Sequence, residues 1–175
     1  MMNIIVRIPN KLIKSPKVIT YLFSNMVNQI NYENFKTEQE ISVYNTTSLN
    51  FKYADLSDKN FKNWNLTKAT FYTADLSNTN FENASLNEAD FRFAKFKNTI
   101  LSGADLNGAD FSFAEFVGMD LSRIKFNNNT FVGVDFSQSN LEGFDFFGKD
   151  LTYSNFSNTN LSIKNMKDAI LVNSN

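Results

Sequence analysis

A large apolar residue occupies every fifth position from Phe51 to Leu171, without an insertion. The 25 positions hold 13 Phe, 11 Leu and Met166. A step of five fits neither regular element, because successive side chains would rotate by about 140° around a helix and would alternate between the two faces of a strand. If the chain turns a corner once per five residues, all the large apolar side chains point to one axis. The spacing therefore predicts a solenoid, whose repeats pack only on their neighbours.

The number of units in one coil follows from the identity of these apolar residues. At a separation of 20 residues, 16 of 21 pairs are identical, whereas at a separation of 15 residues only 7 of 22 are. Stacked positions favour the same residue, so the sequence predicts four units per coil.

The position two residues before each large apolar residue, which we call the slot, is expected to hold a small residue, and it often holds Ala. Seven positions depart from this rule: Lys59, Trp64, Met119, Ile124, Phe144, Lys149 and Lys164. A Trp or Phe in this slot is predicted to displace the corner or to lie partly outside the core.

The repeated unit runs small, acidic, Phe or Leu, polar, any residue, as in Ala104-Asp105-Leu106-Asn107-Gly108 and Ala109-Asp110-Phe111-Ser112-Phe113. This pattern resembles the unit A(D/N)LXX of the pentapeptide-repeat proteins, and the resemblance covers residues 41–175. It implies an all-β fold, a right-handed quadrilateral β-solenoid. With coils spaced at about 4.8 Å, we expect about six four-unit coils.

The N-terminal residues have a different pattern. Ile4, Val6 and Ile8 alternate like a short strand that ends at Pro9, and Ser15-Pro16 is typical of a helix start. Apolar residues then recur at helical spacing, which predicts an amphipathic helix over about 16–30. We therefore expect an N-terminal cap, with its linker, over 1–40 and the solenoid over 41–175. The alternative is that the helix presents its apolar face to another protein or to a membrane surface.

Composition excludes several classes of function. The net charge of −1 argues against direct binding of nucleic acid, which needs a basic excess. Without Cys or His, the chain lacks the usual metal ligands and the usual general base. No apolar run reaches the length of about 18 residues that a membrane span needs. We expect a cytoplasmic protein with no cofactor, no metal and no membrane contact.

One outward-facing feature of the predicted solenoid is apolar. Tyr53, Phe93, Phe113 and Tyr153 fall at equivalent corners of different coils, and Tyr72 falls on the same side. Such a row exceeds the scattered apolar exposure of ordinary surfaces. The rings stack on one another along the solenoid or are covered by the N-terminal segment; the alternative is that they form a stripe that binds a protein partner.

A second outward-facing feature is acidic, with Asp75, Asp90, Asp110, Glu115 and Asp135 as its candidate residues. In the family that the sequence resembles, quinolone-resistance members look like B-form DNA and bind DNA gyrase. The resemblance thus implies a possible DNA mimic. Arg92, Lys95 and Lys97 interrupt the acidic rows, however, and an Asp in this place can also serve only to hydrogen-bond the backbone of the turn.

The C-terminal coil offers a candidate dimer surface at Ile163, Met166, Ile170 and Leu171. Isologous pairing of two such ends would bury these side chains. Well-known members of the family dimerise through this end.

An enzymatic site can be assembled only from carboxylate pairs such as Asp105 and Asp110. A convex rod with a filled core has no cleft in which to shift their pKa values apart. The sequence therefore predicts a non-enzymatic protein that offers a rigid binding surface or scaffold to a protein partner. The alternative is a DNA-mimicking ligand of DNA gyrase or topoisomerase IV.

Overall fold

The computed structural model of the protein describes residues 49–162 and 166–175. Within these ranges there is no α-helix and no continuous strand, and Met166 lies in a 3₁₀ turn. Instead, isolated parallel bridges join residues that are 20 positions apart, from Asn50–Thr70 to Asp150–Ile170. The described part of the chain is thus a β-solenoid, and the predicted four-unit coil is confirmed there. The predicted cap over 1–40 and the first solenoid residues lie outside the described residues.

Each coil has four faces, which we number by their outward bridge positions. The first face contains residues 50, 70, 90, 110, 130 and 150, and the second contains 55, 75, 95, 115, 135 and 155. The third and fourth faces follow at the positions 60 and 65 and at their 20-residue equivalents. Side chains on either side of each outward residue point inward, as alternation along an extended segment requires.

A β-turn joins successive faces. In the first turn, the Ala54 N–H donates to the Phe51 carbonyl at 3.1 Å, and Tyr53 has φ 63°. Positive φ at the third residue alone is the mark of a type II turn. The third turn residue is left-handed throughout most of the described solenoid, whether it is Gly, Asn or an aromatic residue. This conformation disfavours large side chains. The backbone conformation therefore does not explain why aromatic residues occur at this turn position.

The core consists of stacked columns in which most neighbouring residues are identical. Phe71, Phe91 and Phe111 stack with ring centroids 4.8 and 5.2 Å apart and interplanar angles of 7° and 3°. Neighbouring columns meet edge to face, as do Phe71 and Phe81 at 80°. Both geometries are favourable for aromatic pairs. Most of the large apolar residues are buried, although Leu171 in the last coil is exposed.

Larger residues in the slot differ in their effect on the backbone bridges beside them, and the bridge Asn65–Ser85 remains beside Trp64. Trp64 is partly buried, which confirms one of the two predicted outcomes. Phe144 is only 6% exposed and stacks on Phe146 at 4.2 Å. On this fourth face, no bridge joins Asp105 to Lys125 or Lys125 to Asp145 within residues 49–162. Burial of Phe144 above Ile124 in one column is therefore accompanied by loss of the backbone ladder outside it.

Polar residues in the slot bind backbone across coils. The hydroxyl groups of Thr79, Thr99 and Ser139 each donate to the carbonyl 23 residues earlier, at 2.5 to 2.7 Å. Asn129 makes the same bond, from Nδ2 to the Leu106 carbonyl at 2.7 Å. Its Oδ1 is buried and has no hydrogen-bond partner in the described chain. Lys149 also binds backbone across coils, since its Nζ donates to the Asn129 carbonyl at 3.3 Å.

We predict that Phe111→Ala lowers the free energy of unfolding by about 3–5 kcal/mol, because it leaves a cavity in the middle of a stacked column. Urea denaturation followed by circular dichroism measures this change. Phe147→Ala is the control, because Phe147 is an exposed Phe. An equal effect of the two substitutions would contradict the register described here.

We predict that Asn129→Thr raises the free energy of unfolding by about 1 kcal/mol, because it removes a buried acceptor without a partner. The Thr hydroxyl is expected to retain the bond to the Leu106 carbonyl, as Thr99 does to the Leu76 carbonyl. Thermal unfolding by calorimetry measures the gain, and the reverse change Thr99→Asn should be destabilising. A loss of stability in Asn129→Thr would show that the second Asn129 bond, to the Ala109 carbonyl, is the more important one.

Candidate functional site

The aromatic row lies on the corner between the first and second faces. Tyr53, Phe93, Phe113 and Tyr153 are each the third residue of their turn, and Tyr72 is the second residue of its turn. Side chains at the second and third turn positions point away from the core, since the residues that flank the turn point inward. The structure therefore places these five residues on one corner, as the sequence predicts.

Four of the rings form a continuous series. The Tyr53 and Tyr72 centroids are 5.8 Å apart, and those of Tyr72 and Phe93 are 5.4 Å apart, both edge to face. Phe93 and Phe113 stack at 4.9 Å with an interplanar angle of 8°. Tyr53 is nevertheless 67% exposed, and Phe93 and Phe113 are each 43% exposed. Stacking along the ladder therefore orders the rings without removing them from solvent within the described structure.

Gly133 ends this series. A Cβ atom at Gly133 would lie 2.4 Å from two carbons of the Phe113 ring, so the ring covers the bare backbone of the next coil. Gly133 also has φ +68°, which only Gly adopts at little cost. Tyr153 lies beyond it, 59% exposed, and makes no ring contact with the other four in the described residues. The row is therefore four contiguous rings plus one separate ring.

Two cations contact one half of the row. Lys52 Nζ lies 5.0 Å from the Tyr53 centroid and 4.7 Å from the Tyr72 centroid, and the Arg92 guanidinium carbon lies 5.4 Å from the Tyr72 centroid. These are cation–π distances. Sequence reasoning did not assign these contacts, although alignment of the coils places Lys52, Tyr72 and Arg92 at the same turn position.

The candidate acidic residues fall on the two faces beside the row. Asp90 and Asp110 bridge each other on the first face. On the second face, bridges run from Asp75 to Lys95, to Glu115 and to Asp135, so Lys95 separates the first carboxylate from the others. Arg92 lies between Asp90, at 2.8 Å, and Asp110, at 3.9 Å. The acidic columns are interrupted by cations, as the sequence indicates.

Most of these carboxylates also accept a hydrogen bond from the backbone of the turn that follows them. Asp75, Asp110 and Asp135 each accept the backbone N–H of the residue two positions later, at 2.9 Å. Asn occupies the same role elsewhere, as Asn80 does for Glu82 at 2.8 Å. The local structural role predicted for Asp in this place is confirmed.

Arg92 determines the ionisation of Asp90. Its Nε and one terminal nitrogen each donate to a different Asp90 oxygen at 2.8 Å. This hydrogen bonding is the main reason that the pKa of Asp90 is lowered, and it outweighs the opposing effect of partial burial. The pKa values of Asp55, Asp120 and Asp150 are also lowered, chiefly by side-chain hydrogen bonds from Ser57, Ser122 and Thr152. These carboxylates remain charged at neutral pH.

At the candidate dimer end, Met166 is partly buried, whereas Ile170 and Leu171 are exposed. Val172 is exposed as well and extends this surface beyond the predicted residues. Ile163 lies outside the described residues. The described chain thus carries three adjacent exposed aliphatic residues at this end.

Within 49–162 and 166–175, His, Cys, Asp and Glu side chains form no group of three suited to hold a metal ion. In the same ranges, no helix has the length and apolar character needed to cross a membrane.

A family model described as "Pentapeptide repeats" matches eight copies between residues 47 and 162, over the segments 47–83, 65–103, 74–112, 89–128, 104–143 and 130–162. The chain belongs to the pentapeptide-repeat family. The resemblance inferred from the unit Ala104-Asp105-Leu106-Asn107-Gly108 is therefore confirmed. No curated protein sequence matches this pentapeptide-repeat protein.

Several solved structures are similar to it. A trypsin-treated variant of QnrB1, a plasmid-mediated fluoroquinolone resistance protein, is 26% identical over 72% of this chain and 66% of its own, with a TM-score of 0.32. The pentapeptide repeat protein alr5209 from Nostoc PCC 7120 is 23% identical over 76% of this chain and 93% of its own, with a TM-score of 0.36. At such TM-scores these likenesses say nothing about the partner or activity of this protein.

We predict that Arg92→Gln raises the pKa of Asp90 toward the ordinary value of about 3.9, which NMR titration of the side-chain carboxyl measures. Because the native pKa is lowered, the Asp90–Arg92 contact stabilises the fold above the unfolded-state pKa, and this stabilisation is lost as the pH falls through the native pKa. The stability difference between wild type and Arg92→Gln should therefore shrink in acid. Lys97→Gln, which removes an exposed cation, is the control. An unchanged Asp90 titration in Arg92→Gln would contradict this assignment.

Proposed function

We propose that this pentapeptide-repeat protein is a non-catalytic, rigid surface that binds a protein partner through the aromatic row. The observation that carries the proposal is the contiguous series Tyr53, Tyr72, Phe93 and Phe113, which is ordered by ring contacts and still exposed. Tyr and Phe are enriched in protein interfaces, where they supply a large apolar area. An ordered row in solvent fits this role better than a role in the stability of the fold.

The rigidity of the backbone supports the proposal. The backbone N–H groups of Tyr53, Phe93 and Phe113 each donate to the next coil, at 2.9, 3.1 and 2.8 Å. The rings are also held by one another. A surface fixed in this way loses little conformational entropy when a partner binds, which leaves more of the contact energy for affinity.

The electrostatics of the described carboxylates support a non-catalytic role. General acid–base work at neutral pH favours a group whose pKa is near 7. The carboxylates with a resolved shift, such as Asp90 and Asp120, have pKa values moved in the opposite direction. Their hydrogen bonds to the turns give them a structural role instead.

A second candidate function is mimicry of DNA toward DNA gyrase or topoisomerase IV. The observation that favours it is the direct bridge between Asp90 and Asp110, which places two carboxylates on successive coils. Such columns complement a basic groove. Arg92 and Lys95 interrupt the columns, so we rank this candidate second.

Two further proposals concern the ends of the solenoid. We propose that residues 1–40 cap the N-terminal coil, on the support of the amphipathic pattern over about 16–30. We also propose a homodimer through the C-terminal coil, supported by the exposed Ile170, Leu171 and Val172. Such a dimer would present two aromatic rows.

Capture of protein from a bacterial lysate on the immobilised full-length chain tests the main proposal. We predict that the double variant Phe93→Asn, Phe113→Asn retains less than about a tenth of the captured partner, since loss of central aromatic contacts costs more than about 1.4 kcal/mol. Asn suits the left-handed turn position, as Asn83 and Asn98 show. The control is Phe147→Asn, because Phe147 is an exposed Phe on another corner, where Asn107 and Asn127 hold the equivalent positions.

The DNA-mimic alternative makes a different prediction for the same proteins. Inhibition of gyrase supercoiling that weakens with salt, and that is lost on charge reversal of Asp90, Asp110 and Asp135, would favour the DNA-mimic alternative.

The capture experiment can contradict the main proposal. If capture is equal for the ring variant and the control, the aromatic row is not the binding surface and the main proposal is wrong.

A further inference from the structure

The faces on both sides of the aromatic row carry an excess of negative charge. Asp90, Asp110 and Asp150 lie on the first face, and Asp55, Asp75, Glu115 and Asp135 lie on the second. The only cations on these two faces and their shared corner are Lys52, Arg92 and Lys95, within residues 49–162. The row is therefore an apolar strip with acidic borders.

The borders are available to a partner although they also hold the turns. Asp110 and Asp135 use Oδ1 to accept a backbone N–H. Asp110 Oδ2 also lies 3.9 Å from Arg92 Nε, at a distance and solvent exposure that leave it accessible to a second cation. The Glu115 carboxylate accepts no hydrogen bond from other described residues and forms no ion pair with them, whereas its backbone carbonyl accepts the Phe96 N–H. Asp110 lies on the first face and Glu115 on the second, so the two carboxylates belong to the faces on either side of the corner that carries Phe113.

The two halves of the row differ in their existing contacts. Lys52 and Arg92 lie over the tyrosine half, which shows that this corner accepts cations on its ring faces. Across the described chain, no cation lies over Phe93 or Phe113. The phenylalanine half thus combines parallel exposed rings, which carry no cation on their faces within the described residues, with carboxylates on both borders.

We propose that the partner of this surface is an arginine-rich protein segment, whose guanidinium groups lie on Phe93 and Phe113 and pair with Asp110 and Glu115. This inference rests on the proposed function and names the chemistry of the partner. Arginine fits better than lysine because its planar guanidinium stacks on rings and binds a carboxylate with two nitrogens. A second copy of this chain fits poorly, since pairing of two rows would bring acidic borders together.

Calorimetric titration of the full-length protein with a hexa-arginine peptide tests the inference. Hexa-citrulline, which has the same shape without the charge, is the matched peptide. We expect hexa-arginine to bind, hexa-citrulline to bind at least about tenfold more weakly, and hexa-lysine to lie between them. Phe93→Asn with Phe113→Asn should weaken the binding of hexa-arginine about tenfold or more, and Glu115→Gln about threefold.

Two substitutions control for general effects. Phe147→Asn removes an exposed ring, and Glu142→Gln removes an exposed carboxylate, each on another corner of the solenoid. Both should leave the affinity for hexa-arginine unchanged. Circular dichroism of each variant should match that of the wild type, since all five substituted side chains are exposed.

Several outcomes would overturn the inference. Absence of binding, equal affinity for hexa-citrulline, or equal binding by the ring variant would each remove it. Binding that appears only after Arg7, Lys11, Lys14 and Lys17 are changed to Gln would mean that the chain's own N-terminal segment occupies the row. A change of sedimenting mass in the ring variant would identify the occupant as a second copy.

The failure of this inference can be separated from failure of the proposed function. If hexa-arginine does not bind but lysate capture still depends on Phe93 and Phe113, the row binds a partner of different chemistry. In that case this inference is wrong and the proposed function is retained. If capture is independent of both rings as well, the proposed function falls with it.

Discussion

The structure depends on the pairing of backbone groups between residues 20 apart. Each bridge, such as Thr70–Asp90, sets one coil directly on the next, so that Phe71 meets Phe91 and each ring packs on a copy of itself. Burial of the rings and pairing of the backbone require the same register. The consequence is a surface in which equivalent corners are also superimposed, and this is why outward residues distant in the sequence form rows.

The register tolerates some departures better than others. A hydroxyl in the slot, as in Thr79 or Ser139, replaces an apolar contact with a bond to the coil before it, and the bridge beside it remains. Phe144 and Ile124 have too much volume for the same slot, and bridges are missing along the face beside them. Volume alone does not decide where the ladder is interrupted, since the bridge Asn65–Ser85 remains beside Trp64 and no bridge joins Ile100 to Asp120, beside Thr99, within residues 49–162.

The candidate surface uses turn positions that the backbone would fill with Gly or Asn. Phe93 and Phe113 adopt a left-handed conformation at φ 61°, whereas Asn98 and Gly108 hold the same position in adjacent turns. Large aromatic residues at such positions need a compensating interaction. Part of it is their mutual stacking and the cover of Gly133 by Phe113. The exposed remainder of both rings is what the proposed partner would contact.

The sequence alone determined the solenoid, its four-unit coil and the corner on which the five aromatic residues lie, because a strict five-residue period leaves one way to bury every Phe and Leu. It also indicated that Arg92 and Lys95 interrupt the acidic columns. Only the tertiary structure decided how these side chains pair. The Arg92–Asp90 contact, the isolation of Tyr153 behind Gly133 and the missing bridges beside Phe144 depend on side-chain volumes and directions between coils, and a repeat pattern does not encode these quantities.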